Sequence, residues 1–322
     1  MTHLKRFFQS EAGAVILWVV SAILLAATIS PWLYQAGKWF GGVSAAGDLN
    51  ALAEWLGNAC RRASFNRYFS RSLVISAVVL LPLLLRRIRY GAGLVTLRIP
   101  RQSALIQVAA GCVIAGGMLW ATGAVLEACG AYAPRSPRVL GIGKLAGGIL
   151  APAIGAALLE EWLFRGVLLG LWLKFARPLT ACLGTSLCFA FVHFLQPPAG
   201  AVIAAPGAPL AGFELLGKIL LHFADPQFFI TDFAILFVVG MVLARARVRT
   251  GALWFSIGLH AGWILAFKGF NMIYQSVPVH PLHPWGLGGS LRSGVFPLLG
   301  LALTAVICHF VLRRFDSARV IR

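Results

Sequence analysis

Apolar runs about as long as a bilayer is thick follow one another along almost the whole chain, and they constrain the fold more than any other feature. A spanning helix needs about 20 mainly apolar residues. The candidate spans are Ala12–Tyr34, Phe69–Leu85, Ser103–Cys129, Gly141–Leu159, Leu179–Leu195, Phe229–Ala244, Gly251–Phe267 and Val295–Leu312. The 322 residues are 59% hydrophobic and only 12% charged, with a mean hydropathy of +0.82. Too few polar groups exist to cover a soluble surface, since soluble domains carry about 25% charged residues. Ten-residue segments of alternating hydrophobicity, the mark of an outer-membrane barrel, are absent. The expected fold is all-α and integral to the membrane, a single polytopic domain over residues 1–322 built as a bundle of about eight transmembrane helices.

The formal net charge of +18 does not point to nucleic acid. The basic residues lie in short clusters between apolar runs, such as Arg86-Arg87-Arg89 and Arg245-Arg247-Arg249. Short basic loops set topology. With eight spans, the side carrying the N-terminus receives the larger share of Lys and Arg, so both termini are expected in the cytoplasm. Lys5 and Arg6 precede an apolar run without a small-residue cleavage site, which reads as an anchor. The expected partners are membrane lipid and a peptide or protein substrate with a membrane-associated segment.

Two connections are long. Residues 35–68 contain Trp39, Phe40, Trp55 and Leu56 and read as a loop with an amphipathic, interfacial segment. Residues 196–227 open on Pro197-Pro198 and carry Phe213, Leu216, Ile219, Leu220 and Phe223 at helical spacing. The apolar stretch from Gly141 to Phe175 is too long for one straight span and is expected to bend or to continue as a second helix. Four of the six cysteines fall in apolar spans as packing residues. Cys60 and Cys129 lie in loops on one side, where a disulfide is conceivable.

Inside the stretch from Gly141 to Phe175 stands Glu160-Glu161-Trp162-Leu163-Phe164-Arg165. The chain has only 10 acidic residues, and two of them are adjacent here. A charge at membrane depth costs about 2.5–3.5 kcal/mol on insertion scales and marks function. Glu161 and Arg165 have the favourable acid-before-base order at i,i+4. Glu160 projects about 100° around the helix from Glu161, which leaves one carboxylate for another task. In an apolar site such a carboxylate suits general-base work. His193 is the only ionisable group in Leu179–Leu195, and His260 sits mid-span between small residues. Glu160, His193 and His260 would converge from three helices. They could activate water and stabilise an oxyanion, or, on a metal-dependent reading, hold zinc. No cofactor is otherwise expected.

The stretch from Glu160 to Arg165 resembles the EExxxR motif of the CPBP family of intramembrane proteases, which includes CAAX prenyl endopeptidases and bacteriocin-processing or immunity relatives. Phe189…His193 resembles that family's FxxxH motif, and His260 resembles the start of its HxxxN motif. The resemblance covers residues 141–267 and implies a glutamate-type endopeptidase, an eight-helix bundle with a central cavity open to lipid and cytosol. It implies Glu160 and His193 as the water-activating pair, Glu161 and Arg165 as organisers of the site, and His260 as part of the oxyanion hole. One position departs: the motif asparagine is Ile264. Ser256, one turn before His260, or Asn271, if the chain breaks near Gly269, would have to replace it. The alternatives are a weak or inactive family member acting in binding or immunity, and a proton-coupled transporter. No internal repeat supports the last.

Overall fold

The computed structural model describes residues 11–47, 50–87, 99–135, 149–174, 176–195, 197–198 and 200–315. Among them, five helices are long and apolar enough to cross a membrane: Gly13–Ala46, Phe65–Arg87, Arg101–Ala128, Pro226–Thr250 and Val295–Leu312. Of the other expected spans, Leu179–Leu195 is a helix over Pro178–His193. At 16 residues it is about 24 Å long, short of the roughly 30 Å hydrocarbon core. The span expected at Gly251–Phe267 is helical from Trp254 on, in a helix over Trp254–Ile273. The span expected at Gly141–Leu159 falls partly outside the described residues.

The chain divides into two compact units, Met1–Tyr90 with His193–Asp225, and Gly91–Val192 with Pro226–Arg322. In the first, α1 (Glu11–Ala46) runs for 36 residues, about 54 Å, past the apolar run that ends at Tyr34. Gln35 and Lys38 are polar but permit helix. The connection expected over residues 35–68 is therefore mostly helical: α1 continues to Ala46, α2 covers Ala51–Arg62, and α3 covers Phe65–Arg87. Asn50 caps α2, its side chain accepting from the Ala53 amide at 2.9 Å. The Trp18 indole donates to the Ala77 carbonyl at 3.1 Å and ties α1 to α3. The amphipathic stretch in 196–227 is likewise helical, over Ala211–His222.

That second unit holds α4 (Arg101–Ala128), α5 (Ala151–Glu160), α6 (Pro178–His193, up to Val192), α8 (Ala234–Thr250), α9 (Trp254–Ile273) and α10 (Val295–Leu312). The first unit's amphipathic helix is α7 (Ala211–His222). It packs on α1 so closely that a Cβ on Gly212 would meet Ser30 Oγ at 2.5 Å. A two-stranded antiparallel ladder of three residue pairs joins β1 (Tyr132–Pro134) to β2 (Tyr274–Ser276).

Glycines set the closest contact of the second unit. A Cβ on Gly111 of α4 would lie 2.5 Å from the Phe255 carbonyl oxygen, and one on Gly262 of α9 would lie 2.5 Å from that of Cys112. Gly258 meets Val108 in the same way. The Gly258-x-x-x-Gly262 pair thus lets two backbones touch, the small-residue packing common between membrane helices. His260 lies between these glycines, so the contact that seats α9 on α4 also fixes the height of the histidine. Ala115 of α4, Val242, Leu243 and Ala246 of α8, Phe255 and Leu259 of α9, and Cys308 and Leu312 of α10 form a buried cluster beside it.

Helix α5 does not end at Glu160. The backbone widens into a π-helical segment over Glu161–Leu168 and returns to α over Leu169–Trp172. The long apolar stretch continues as expected, but through a change of helical pitch. Such π turns within α-helices are frequent at functional sites.

Candidate active site

Glu161 opens the π segment and is fully buried, with 0% of its side chain exposed, and Arg165 is 1% exposed. The ion pair anticipated from their spacing is formed: Arg165 Nη1 donates to Glu161 Oε1 at 2.9 Å. A second guanidinium nitrogen reaches the Gly240 carbonyl of α8 at 3.4 Å. Two charges this deep are tolerated because each meets the other and because extra donors and acceptors surround them.

His260 comes in from α9. Its Nδ1 lies 2.9 Å from the same Glu161 Oε1. An ionised carboxylate only accepts, so beside Arg165 it is Nδ1–H that donates. The other ring nitrogen, Nε2, faces Glu160, with Oε2 at 3.8 Å. That is too long for a direct hydrogen bond, and close enough for both groups to act on one small guest. Glu160 is the accessible member of the cluster, its side chain 28% exposed against 9% for His260. The helical period had set Glu160 apart from Glu161. One imidazole wedged between the two carboxylates instead serves both.

Glu160, Glu161, Arg165 and His260 are therefore brought together. His193 is the last residue of α6 and half-buried, one turn beyond Phe189. Phe189 is where α6 meets the cluster. Its ring lies under the Arg165 guanidinium, 4.2 Å from centroid to Cζ, and edge-on to His260 at 6.1 Å. Phe164 packs edge-on against it at 5.1 Å. The sequence showed Phe189 only as a motif letter, and nothing in it signalled the Gly240 carbonyl.

The two substitutes for the missing asparagine fare differently from expectation. Helix α9 is unbroken through Ile273. Asn271 therefore stays about 16 Å along the axis from His260, and its amide donates to the Phe267 carbonyl at 2.9 Å. It cannot replace the residue at Ile264. Ser256 is fully buried and donates to the Leu253 carbonyl at 2.9 Å. Its proton is committed inside its own helix. On the zinc reading, Glu160, His193 and His260 would be the ligands. Among the described residues, no group of three or more His, Cys, Asp or Glu is arranged to hold a metal ion. All six cysteines, Cys60 and Cys129 among them, are free thiols.

No curated protein and no solved structure matches the chain. A family model does: that of the type II CAAX prenyl endopeptidase Rce1-like proteins, over residues 143–266. The matched segment contains Glu160, Glu161, Arg165, His193 and His260, and over it the chain is similar to the Rce1-like type II CAAX prenyl endopeptidases.

Proposed function

We propose that the protein is an intramembrane endopeptidase that hydrolyses a peptide bond of a membrane-associated or lipidated protein, with Glu160 as the general base. The observation that carries this reading is the single imidazole of His260, held by Glu161 on one side and facing the more exposed Glu160 on the other. Glu160, with His193 as the motif resemblance implies, takes a proton from water as it attacks the carbonyl carbon. His260, protonated on both nitrogens, donates Nδ1–H to Glu161 and Nε2–H to the developing oxyanion. The attacked carbon then expels the amine, which takes up the proton held at Glu160. Glu161 and Arg165 hold the imidazole so that no reorientation is needed during reaction. The chain acts as one polytopic domain of about eight membrane helices, both termini in the cytoplasm, with a cavity reached by lipid and water.

Ile264 favours a second reading, in which the scaffold binds such substrates and cleaves them slowly. Losing one oxyanion donor costs about 10²–10³ in rate in a well-studied hydrolase. One experiment separates the two. Membranes bearing the wild type or Glu160→Gln receive a farnesylated peptide ending in a CAAX sequence, and products are identified by mass spectrometry. The wild type is expected to release the tripeptide, and Glu160→Gln to do so about 10²–10⁴-fold more slowly. Binding without wild-type cleavage establishes the second reading.

A further inference from the structure

We infer that Phe189 is a positioning residue of this site, acting through Arg165 and His260 and touching no reacting atom. The inference rests on the proteolytic reading and deepens it.

Glu161 Oε1 accepts from two donors, Arg165 and His260. Hydrogen bonds fix each donor along one direction only. Arg165 can still swing about its bond to Glu161, because its second contact, to Gly240, is long at 3.4 Å. His260 can still tilt about Nδ1. Phe189 restrains both donors. Its face lies 4.2 Å from Arg165 Cζ and its ring stands at 79° to the imidazole, with centroids 6.1 Å apart. The ring is itself held by Phe164, at 88° and 5.1 Å, and is only 1% exposed. One rigid aromatic plane therefore sets the attitude of both partners of Glu161, and with them the aim of His260 Nε2 toward Glu160.

The site needs an aromatic face here, and a hydrophobic volume is not enough. Arg165 is almost completely removed from water, and the face of its guanidinium has no hydrogen to offer. A ring supplies a negative face to that cation, and the attraction is strongest where both are desolvated. Leucine would fill the space and leave the face without compensation.

The experiment replaces Phe189 by mono-, di- and trifluorinated phenylalanine through nonsense suppression, with Phe189→Leu alongside. Cleavage of the farnesylated CAAX peptide is followed together with thermal unfolding in detergent. Fluorination keeps the ring nearly the same size and drains its face of negative charge. The expected result is a stepwise fall in kcat with each fluorine, reaching about tenfold, at unchanged KM and unchanged unfolding temperature. Phe189→Leu is expected to lose at least as much kcat. Wild-type kcat throughout the fluorinated series overturns the inference, as does a loss that only tracks unfolding. Glu160→Gln is assayed in the same membranes. Cleavage that survives that substitution overturns Glu160 as the base, and with it the role of Phe189 in aiming His260 toward Glu160. Cleavage lost in Glu160→Gln but insensitive to fluorination overturns the role of Phe189 alone.

Discussion

Two ion pairs in this protein have the same design and opposite settings. Glu161–Arg165 and Glu214–Lys218 both place the acid four residues before the base on a helix, and both close to 2.9 Å. The first is 0% and 1% exposed, the second 49% and 39%. The buried pair is enmeshed: His260 shares its carboxylate, Gly240 receives a guanidinium nitrogen, and Phe189 covers the guanidinium face. The exposed pair has one further contact, from Lys218 to the Val202 carbonyl at 2.6 Å. Spacing and distance are thus silent about consequence. Water, or its absence, decides what each pair does to the protein when it is broken.

The largest difference is expected on removing one charge. Arg165→Ala leaves Glu161 ionised and buried with only His260 to oppose it. Breaking a buried pair in this way costs about 3–5 kcal/mol. Thermal unfolding in detergent should show a large drop or no folded protein. An unfolding temperature equal to wild type would erase the distinction between the two pairs.

A double replacement sharpens it. Glu161→Leu with Arg165→Met removes both charges and keeps the volume. Replacing a whole buried pair by apolar residues is often neutral or stabilising by about 1–4 kcal/mol. Stability is therefore expected to return to wild type or above it, while cleavage stays lost because His260 has no acceptor at Nδ1. Recovered activity would show that Glu161 and Arg165 serve folding alone.

The buried pair was legible in the sequence, and its role only in part. Acid-before-base spacing inside an apolar run is a local signal, and the ion pair followed from it. The helices were legible for the same reason, because apolar runs of bilayer length leave few alternatives. Their ends were not. Lys268 and Asn271 end the apolar run of α9 near Phe267, yet the backbone continues to Ile273, with the Asn271 amide turned back onto Phe267. Gln35 and Lys38 misled in the same way in α1. The π turn at Glu161 has no composition of its own, and the approach of His260 to Glu161 depends on α9 settling against α4 through Gly258 and Gly262. These are tertiary choices, and a period of 3.6 residues cannot express them.

The smallest effect is expected at the exposed pair, and it completes the comparison. Lys218→Ala removes both the ion pair and the bond to Val202, so it cannot isolate the pair. Glu214→Gln leaves the lysine bonded to Val202 and removes only the charge beside it. A double-mutant cycle over these two substitutions therefore reads the coupling itself. Exposed i,i+4 pairs couple by about 0.3–0.5 kcal/mol. The coupling should fade as salt is added, since exposed charges are screened by mobile ions while desolvated ones are largely spared. A coupling above about 2 kcal/mol that persists in high salt would place Glu214 and Lys218 with the buried pair, and spacing rather than solvent would then have to carry the energy.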